Sequence, residues 1–227
     1  MRATLDGARL DLGGPRQRAV LARLVAAGGH VVPADRFVDD LWRGEPPPKA
    51  LAALQVYVSN LRRVLEPGRA PRTPATVVVS AAPGYALRLP VGAVDAWRFE
   101  DLLRRGGELA GDDPRAAEPL LREALAVWAG PAFAEFADEP WAVPEVARLE
   151  ELRLVCVETA GQVALRLGGQ LAAALAVPEL ERHAQAHPLR EQAVHLLATA
   201  LYRAGRQADA LATLRQARVR LADELGA

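Results

Sequence analysis

The sequence holds 227 residues, 51% of them hydrophobic, enough to pack one large or two ordinary domains and too apolar for a disordered activator. A single cysteine, Cys156, excludes a disulfide framework within the chain, and no run of ~18 uncharged apolar residues offers a membrane span. The 28 basic and 28 acidic residues cancel unevenly: residues 1–90 hold thirteen bases against seven acids and residues 91–227 fifteen against twenty-one, so the first part is drawn to phosphate and the second repelled by it.

In chain order, residues 3–12 alternate as a strand, and Gly13-Gly14-Pro15 turns into an amphipathic helix over 16–27 with Leu21, Leu24 and Val25 inward. Gly28-Gly29 ends that helix. An extended link, His30 to Pro33, leads to a second helix over 34–42, whose inner residues are Phe37, Val38, Leu41 and Trp42. Pro46-Pro47-Pro48 then enforces a stiff loop before a third helix, carried by PPPKALAALQVYVSNLRRVL (46–65). After Pro67-Gly68, residues 76–80 and 85–89 form two strands around 81–84. This order is that of a winged helix-turn-helix.

From residue 94 the pattern holds helices only, expected over 96–110, 114–128, 143–167, 171–187, 190–204 and 207–225. LRLGGQLAAAL (165–175) resembles LYRAGRQADAL (201–211), with Gly168 and Gly205 thirty-seven positions apart, close to a tetratricopeptide period. Helix pairs of this kind bury a face only by stacking, which makes three pairs a minimum and leaves a concave groove. Pro119 and Pro178 lie inside two of these helices and predict a kink or break at each. The fold class is therefore mainly α: a winged helix with a small β hairpin, then an all-α tetratricopeptide-like repeat.

The third helix is the most informative element. Leu51, Leu54, Val58, Leu61 and Leu65 fall on the side a helix must bury. The other side carries Lys49, Ala52, Gln55, Val56, Ser59, Asn60 and Arg63, with Arg62 on the flank and no carboxylate among them. A helix entering a major groove needs amide or guanidinium groups for base edges and small side chains elsewhere, which is this composition. A solvated amphipathic helix with arginines favouring its C-terminal dipole has the same pattern. The charge partition favours the groove reading.

Other chemistries find little support. His183 and His187 stand i, i+4 near Glu179 and Glu191 without a third ligand at helical spacing, so no metal is expected. None of the glycine pairs sits in a phosphate-binding motif, and no cofactor is expected. Ser59 and Ser80 are the only serines and no histidine pairs with either by motif, so the chain does not read as an enzyme. Trp97, Phe99, Trp128, Phe133, Phe136 and Trp141 cluster in sequence; core packing explains most of them, and the last three also suit a clamped loop or a small pocket. Cys156, in LRLVCVETAG, reads as a buried small hydrophobe.

These stretches together resemble a SARP-type (antibiotic regulatory protein) transcriptional activator, an OmpR-like winged helix joined to a bacterial transcriptional activator domain. The resemblance rests on GGPRQRAVLARLVAAGGHVV (13–32), DDLWRGEPPPKALAALQVYVSNLRRVL (39–65), PGYALRL (83–89), VDAWRFEDLL (94–103), LLREALAVWAGPAF (120–133), RLEELRL (148–154), HPLREQAVHLLATALYRAGRQADAL (187–211) and RLADELG (220–226), in order through nearly the whole chain. It implies domains over 1–92 and 93–227 and binding to double-stranded promoter DNA, at direct repeats, with recruitment of RNA polymerase and its sigma subunit. A homodimer on DNA and control of a biosynthetic gene cluster go with it, and an N-terminus without the continuous apolar core of a signal peptide makes a cytoplasmic location the simplest expectation.

Residue by residue, the resemblance makes Gln55, Ser59, Asn60, Arg62 and Arg63 the groove-facing set; Lys49 and Val56 on the same outer face, and Tyr85 and Arg88 on the wing, complete the expected DNA-binding residues. The loop over 43–49, with Arg43 and Glu45, corresponds to the segment turned toward polymerase. The match departs from the family at Ala81, where many such wings carry an arginine, and at both ends: the strands before Gly13 are shortened, and LADELGA stops where the family continues with a further helix. A helical interaction or ligand-sensing module, or the front end of a larger ATPase-bearing regulator, is the competing reading.

Overall fold

The computed structural model describes residues 1–226. Its elements are β1 (Thr4–Leu5), β2 (Ala8–Arg9), α1 (Pro15–Ala26), β3 (Val32–Pro33), α2 (Ala34–Trp42), α3 (Ala50–Leu65), β4 (Val78–Ala81) and β5 (Gly84–Leu87). A 3-10 turn at Val91–Ala93 then leads into α4 (Asp95–Ala110), α5 (Pro114–Ala126), α6 (Val143–Leu167), α7 (Gln170–Ala186), α8 (Glu191–Arg203) and α9 (Gln207–Leu225). They form two compact units. The first is Met1–Arg98 together with Trp128–Glu151; the second is Phe99–Val127 together with the chain from Leu152 onward.

In the first unit, α1, α2 and α3 pack with a three-stranded antiparallel sheet of order β3-β5-β4. Phe37, Leu24, Leu54, Leu61, Val78 and Leu87 are at most 1% exposed and form its centre, each contributing about 1.5–3 kcal/mol of transfer free energy by its burial. The wing is short and tightly registered, with Ser80 opposite Tyr85 and Ala81 opposite Gly84. Gly84 is dictated by close approach: a Cβ there would lie 1.9 Å from the Val32 carbonyl oxygen of the adjoining strand.

Several sequence expectations change here. Residues 3–12 are not one strand but two short ones folded back on each other, because Asp6 and Gly7, at φ 50° and 79°, make the left-handed two-residue turn that a hairpin favours. The link His30 to Pro33 includes β3, whose Val32 and Pro33 pair with Tyr85 and Gly84. In α2 only Phe37 is fully buried, while Val38, Leu41 and Trp42 are half-buried.

The segment from Trp128 to Glu151 also belongs to this unit. Phe136, Trp141 and Ala142 are buried against Ala19 and Ala22 of α1. The two alanines leave room for the rings, and Trp141 meets Phe133 edge-on at 6.4 Å and Phe136 at 5.9 Å. Core packing thus accounts for all three aromatics. The segment carries six acids and one base, so the first unit as packed holds fifteen bases and fourteen acids. The +6 surplus of residues 1–90 is not the charge of the body they fold into.

In the second unit, α8 packs against both α7 and α9. Leu165, Val177, Leu180, Leu196, Leu197 and Leu201 share its core with Ala173, Ala184, Ala193, Ala200 and Ala210. Cys156 is fully buried, and that burial pushes its thiol pKa up to about 12, so it is an inert apolar filler. Pro119 and Pro178 end neither α5 nor α7. Each removes one backbone bond, but buried neighbours on both sides, Ala117 and Leu121 in α5 and Val177 and Leu180 in α7, hold the helix together.

Candidate nucleic-acid interface

Helix α3 begins after the proline loop, where Ala50 N–H donates to the Pro47 carbonyl, and ends where Glu66 N–H donates to the Arg62 carbonyl. Ala50, Leu54, Val58 and Leu61 face inward. Leu51, expected among them, is 56% exposed. Leu54, Val58 and Leu61 set the inward stripe, and Ala50, one turn before Leu54, continues it, with Leu51 about 100° round from Ala50. Leu65 is half-buried against the core.

The outward face carries Lys49, Ala52, Gln55, Val56, Ser59 and Arg63, all exposed. No acid lies between Lys49 and Leu65, and the positive end residues Arg62 and Arg63 suit the C-terminal dipole. Val56, 56% exposed, adds a large apolar group to this face. Such a surface offers hydrogen-bond donors, one methyl contact and close backbone access, the requirements of direct readout in a major groove.

Two of the expected groove residues have intramolecular duties. Arg62 is half-buried; its Nε donates to the Val78 carbonyl at 2.7 Å, its Nη2 to Ser80 Oγ at 2.9 Å, and its guanidinium lies 5.8 Å from the centre of the Tyr85 ring. It braces the helix against the wing. Asn60, also half-buried, donates from Nδ2 to Gln17 Oε1 and accepts from Arg63 Nη2, both at 3.2 Å. On the wing, Tyr85 packs edge-on to Phe37 at 6.3 Å. Arg88 is exposed and donates to the Gly29 carbonyl. The wing tip itself, Ala82 and Pro83, is exposed and uncharged.

The connection from α3 to the wing is held by Glu66, whose Oε1 accepts from the Thr76 N–H at 2.8 Å and from Thr76 Oγ1 at 2.7 Å. Burial works to raise the Glu66 pKa, but these bonds and nearby Arg69 outweigh it and hold the carboxyl below its ordinary value.

The α2–α3 loop, 43–49, is exposed throughout, Glu45 included. Arg43 at its start, in the left-handed region at φ 51°, donates from Nε and Nη2 to the two carboxylate oxygens of Glu139 at 3.2 and 2.9 Å. At the start of α1, Arg18 donates to Glu135 at 2.7 Å, and the N-terminal ammonium reaches the same carboxylate at 3.0 Å. Sequence patterns did not single out Gln17, Glu66, Glu135 or Glu139. Only Gln17 left a trace, as a polar side chain one helical turn before Leu21 on the inward stripe of α1.

His183 has a structural role. In the second unit His183 is buried with Nε2 3.2 Å from Glu158 Oε1, and Glu158 Oε2 accepts from Arg190 at 3.0 Å. Among the described residues no three His, Cys, Asp or Glu side chains converge as a metal-holding group, and no helix is long and apolar enough to cross a membrane.

Comparison with known proteins gives two family matches. Residues 8–87 match the family described as transcriptional regulatory protein, C terminal, and residues 94–227 match the bacterial transcriptional activator domain. Among curated proteins the chain is similar to the regulatory protein AfsR of Streptomyces coelicolor, with 44% identity over 100% of this chain and 22% of AfsR. It is also similar to the transcriptional regulator RedD of the same organism, with 36% identity over 92% of this chain and 59% of RedD. Among solved structures, Mycobacterium tuberculosis EmbR in complex with a low-affinity phosphopeptide superposes with a TM-score of 0.87 and 34% identity over 99% of this chain and 58% of EmbR. The chain therefore spans about a fifth of AfsR and under two thirds of RedD and EmbR.

Proposed function

Because the chain belongs to the SARP-type family of transcriptional activators, an OmpR-like winged helix followed by a bacterial transcriptional activator domain, we propose that it is a sequence-specific DNA-binding activator. It binds double-stranded promoter DNA with α3 in the major groove and the wing beside it, and it acts in the cytoplasm without catalysing a reaction. The observation that carries this is the acid-free outward face of α3, where Lys49, Gln55, Val56, Ser59 and Arg63 are exposed together. In that pose Gln55 pairs with adenine, Val56 meets a thymine methyl, and Arg63 takes guanine or phosphate. Lys49, Arg88 and the wing turn at Tyr85 face the backbone, and Ala52 and Ser59 let the helix approach.

The functional division falls near residue 92. The loop over 43–49, with Arg43 and Glu45, is the surface offered to RNA polymerase and its sigma subunit, and two copies occupy a direct repeat. The genes controlled form a biosynthetic cluster, as the family resemblance implies.

The test is fluorescence anisotropy of the full chain against duplexes from the promoters of neighbouring genes, at two salt concentrations and in competitor DNA. The expected result is salt-sensitive binding that Arg63→Ala weakens by roughly tenfold. A folded chain that binds no duplex at low salt would sink the reading. It would leave the alternative of a helical interaction module, which the 74% and 73% exposure of Leu171 and Leu175 on α7 favours.

A further inference from the structure

Arg63 does not stand alone on the face of α3. A chain of hydrogen bonds runs from the Leu12 carbonyl to Gln17 Nε2 at 3.0 Å, from Gln17 Oε1 to Asn60 Nδ2 at 3.2 Å, and from Asn60 Oδ1 to Arg63 Nη2 at 3.2 Å. Its polarity is fixed from both ends. A carbonyl can only accept and a guanidinium can only donate, so each amide between them has one admissible orientation. Gln17 is buried, at 8% exposure, and its position is prepared by Gly13. That residue sits at φ +76°, and a Cβ on it would come within 2.8 Å of Gln17 Nε2.

We infer that Gln17 and Asn60 are positioning residues for base reading: the relay anchored on Leu12, with Asn60 as its middle link, aims the Arg63 guanidinium at its base pair. This rests on the DNA-binding reading above. Asn60 gives one of its two amide hydrogens to Gln17 and one of its two oxygen lone pairs to Arg63, and the two bonds together fix the plane of its amide. Arg63 gives one of its five donors to the relay and keeps four for DNA. Holding the stem of a long side chain removes rotamer freedom before binding, so discrimination by that side chain improves without any further contact. Arg62, one residue earlier, is spent on the wing, so the adjacent arginines have separate tasks.

The experiment selects duplexes from a randomised pool with the full chain and measures base preference at each position by anisotropy, for wild type, Arg63→Ala, Gln17→Leu and the double variant. Gln17 is buried within the unit, so its replacement has no direct route to the duplex. The expected result is that Gln17→Leu relaxes preference at the position that Arg63→Ala relaxes, by roughly five- to tenfold. Preference elsewhere and the salt slope stay unchanged, and the double variant is no worse than Arg63→Ala. If Gln17→Leu weakens all duplexes equally, or its effect adds to that of Arg63→Ala, the relay is structural only and the inference falls. Should Gln17→Leu fail to fold by circular dichroism, Asn60→Ala breaks the relay from its exposed side and is judged by the same two criteria. If wild type selects no sequence, the DNA reading and the relay fall together; if wild type selects and the variants behave additively, only the relay falls.

Discussion

Where the winged unit buries Phe37, Leu24, Leu54 and Leu61 almost completely, the helical unit fills much of its interior with Ala173, Ala184, Ala193, Ala200 and Ala210 and leaves Leu171 and Leu175 in solvent. Large core side chains interlock, so the first unit holds α3 and the wing in one arrangement, as the groove-matching surface proposed above would require. Alanines bring helix backbones close while each contributes little buried area, and the leucines left outside are surface rather than core. One unit concentrates its apolar area inward to fix a polar face; the other spreads it and keeps apolar groups available.

The largest effect that could break this contrast is a cavity. Phe37→Ala should cost the winged unit about 3–5 kcal/mol, read from urea denaturation followed by tryptophan fluorescence. The readout is selective because Trp42, Trp97, Trp128 and Trp141 all lie in that unit. A loss below about 1 kcal/mol would mean that its core is as forgiving as an alanine-lined one.

Acid should separate the units by pH window. In the winged unit Glu135 is held below its ordinary value of 4.5, first by Arg18 and also by the N-terminal ammonium, and Glu66 is held low as described. Depressed carboxyls stabilise the fold above their ordinary value, and that contribution is lost as pH falls through the folded values. In the helical unit His187 is depressed from 6.5, first by burial and then by His183, Arg190 and Arg153, against the opposing pull of Glu158. The fold favours its neutral ring, so its contribution is complete above the ordinary value and declines as pH drops through the lower folded one. Far-UV circular dichroism melts should therefore begin to weaken at about pH 6, while tryptophan-monitored melts hold to about pH 4. A common onset would show that the two respond as one body.

The smallest expected effect is at the exposed leucines. Leu175→Gln should change stability by less than about 0.5 kcal/mol in a circular dichroism melt. A loss of 2 kcal/mol or more would place Leu175 in a buried contact and erase the contrast.

Much of this architecture was legible in local pattern. The spans of α2, α6 and α9 follow directly from 3.6-residue periodicity and from glycine and proline punctuation, and so does the exposed polar face of α3. What escaped was set by partners far along the chain. Arg62 is committed by Val78 and Ser80, sixteen and eighteen positions on, and Asn60 by Gln17, forty-three positions back. No periodicity announces such pairings. Val32 and Pro33 become a strand only because the wing offers an edge, and residues 128–151 join the winged unit only because Ala19 and Ala22 open a seat for Phe136 and Trp141. Leu51 shows the limit from the other side: at a helix end, periodicity does not say which of two residues flanking the stripe is covered, and here Ala50 is buried and Leu51 exposed.

The acids of residues 128–151 bear on how the molecule would search for its site. With Glu135 on Arg18 and Glu139 on Arg43, the winged unit would approach a duplex nearly neutral as a whole, with the outward face of α3 free of acids. Long-range attraction to polyanion is then weak, and capture depends on orientation within a screening length of about 8 Å. Encounters with random DNA would then be brief and sliding short. For the DNA reader proposed above, residence would be reserved for sequences at which the α3 face makes its base contacts, so occupancy would depend more on the dissociation rate than on the speed of arrival.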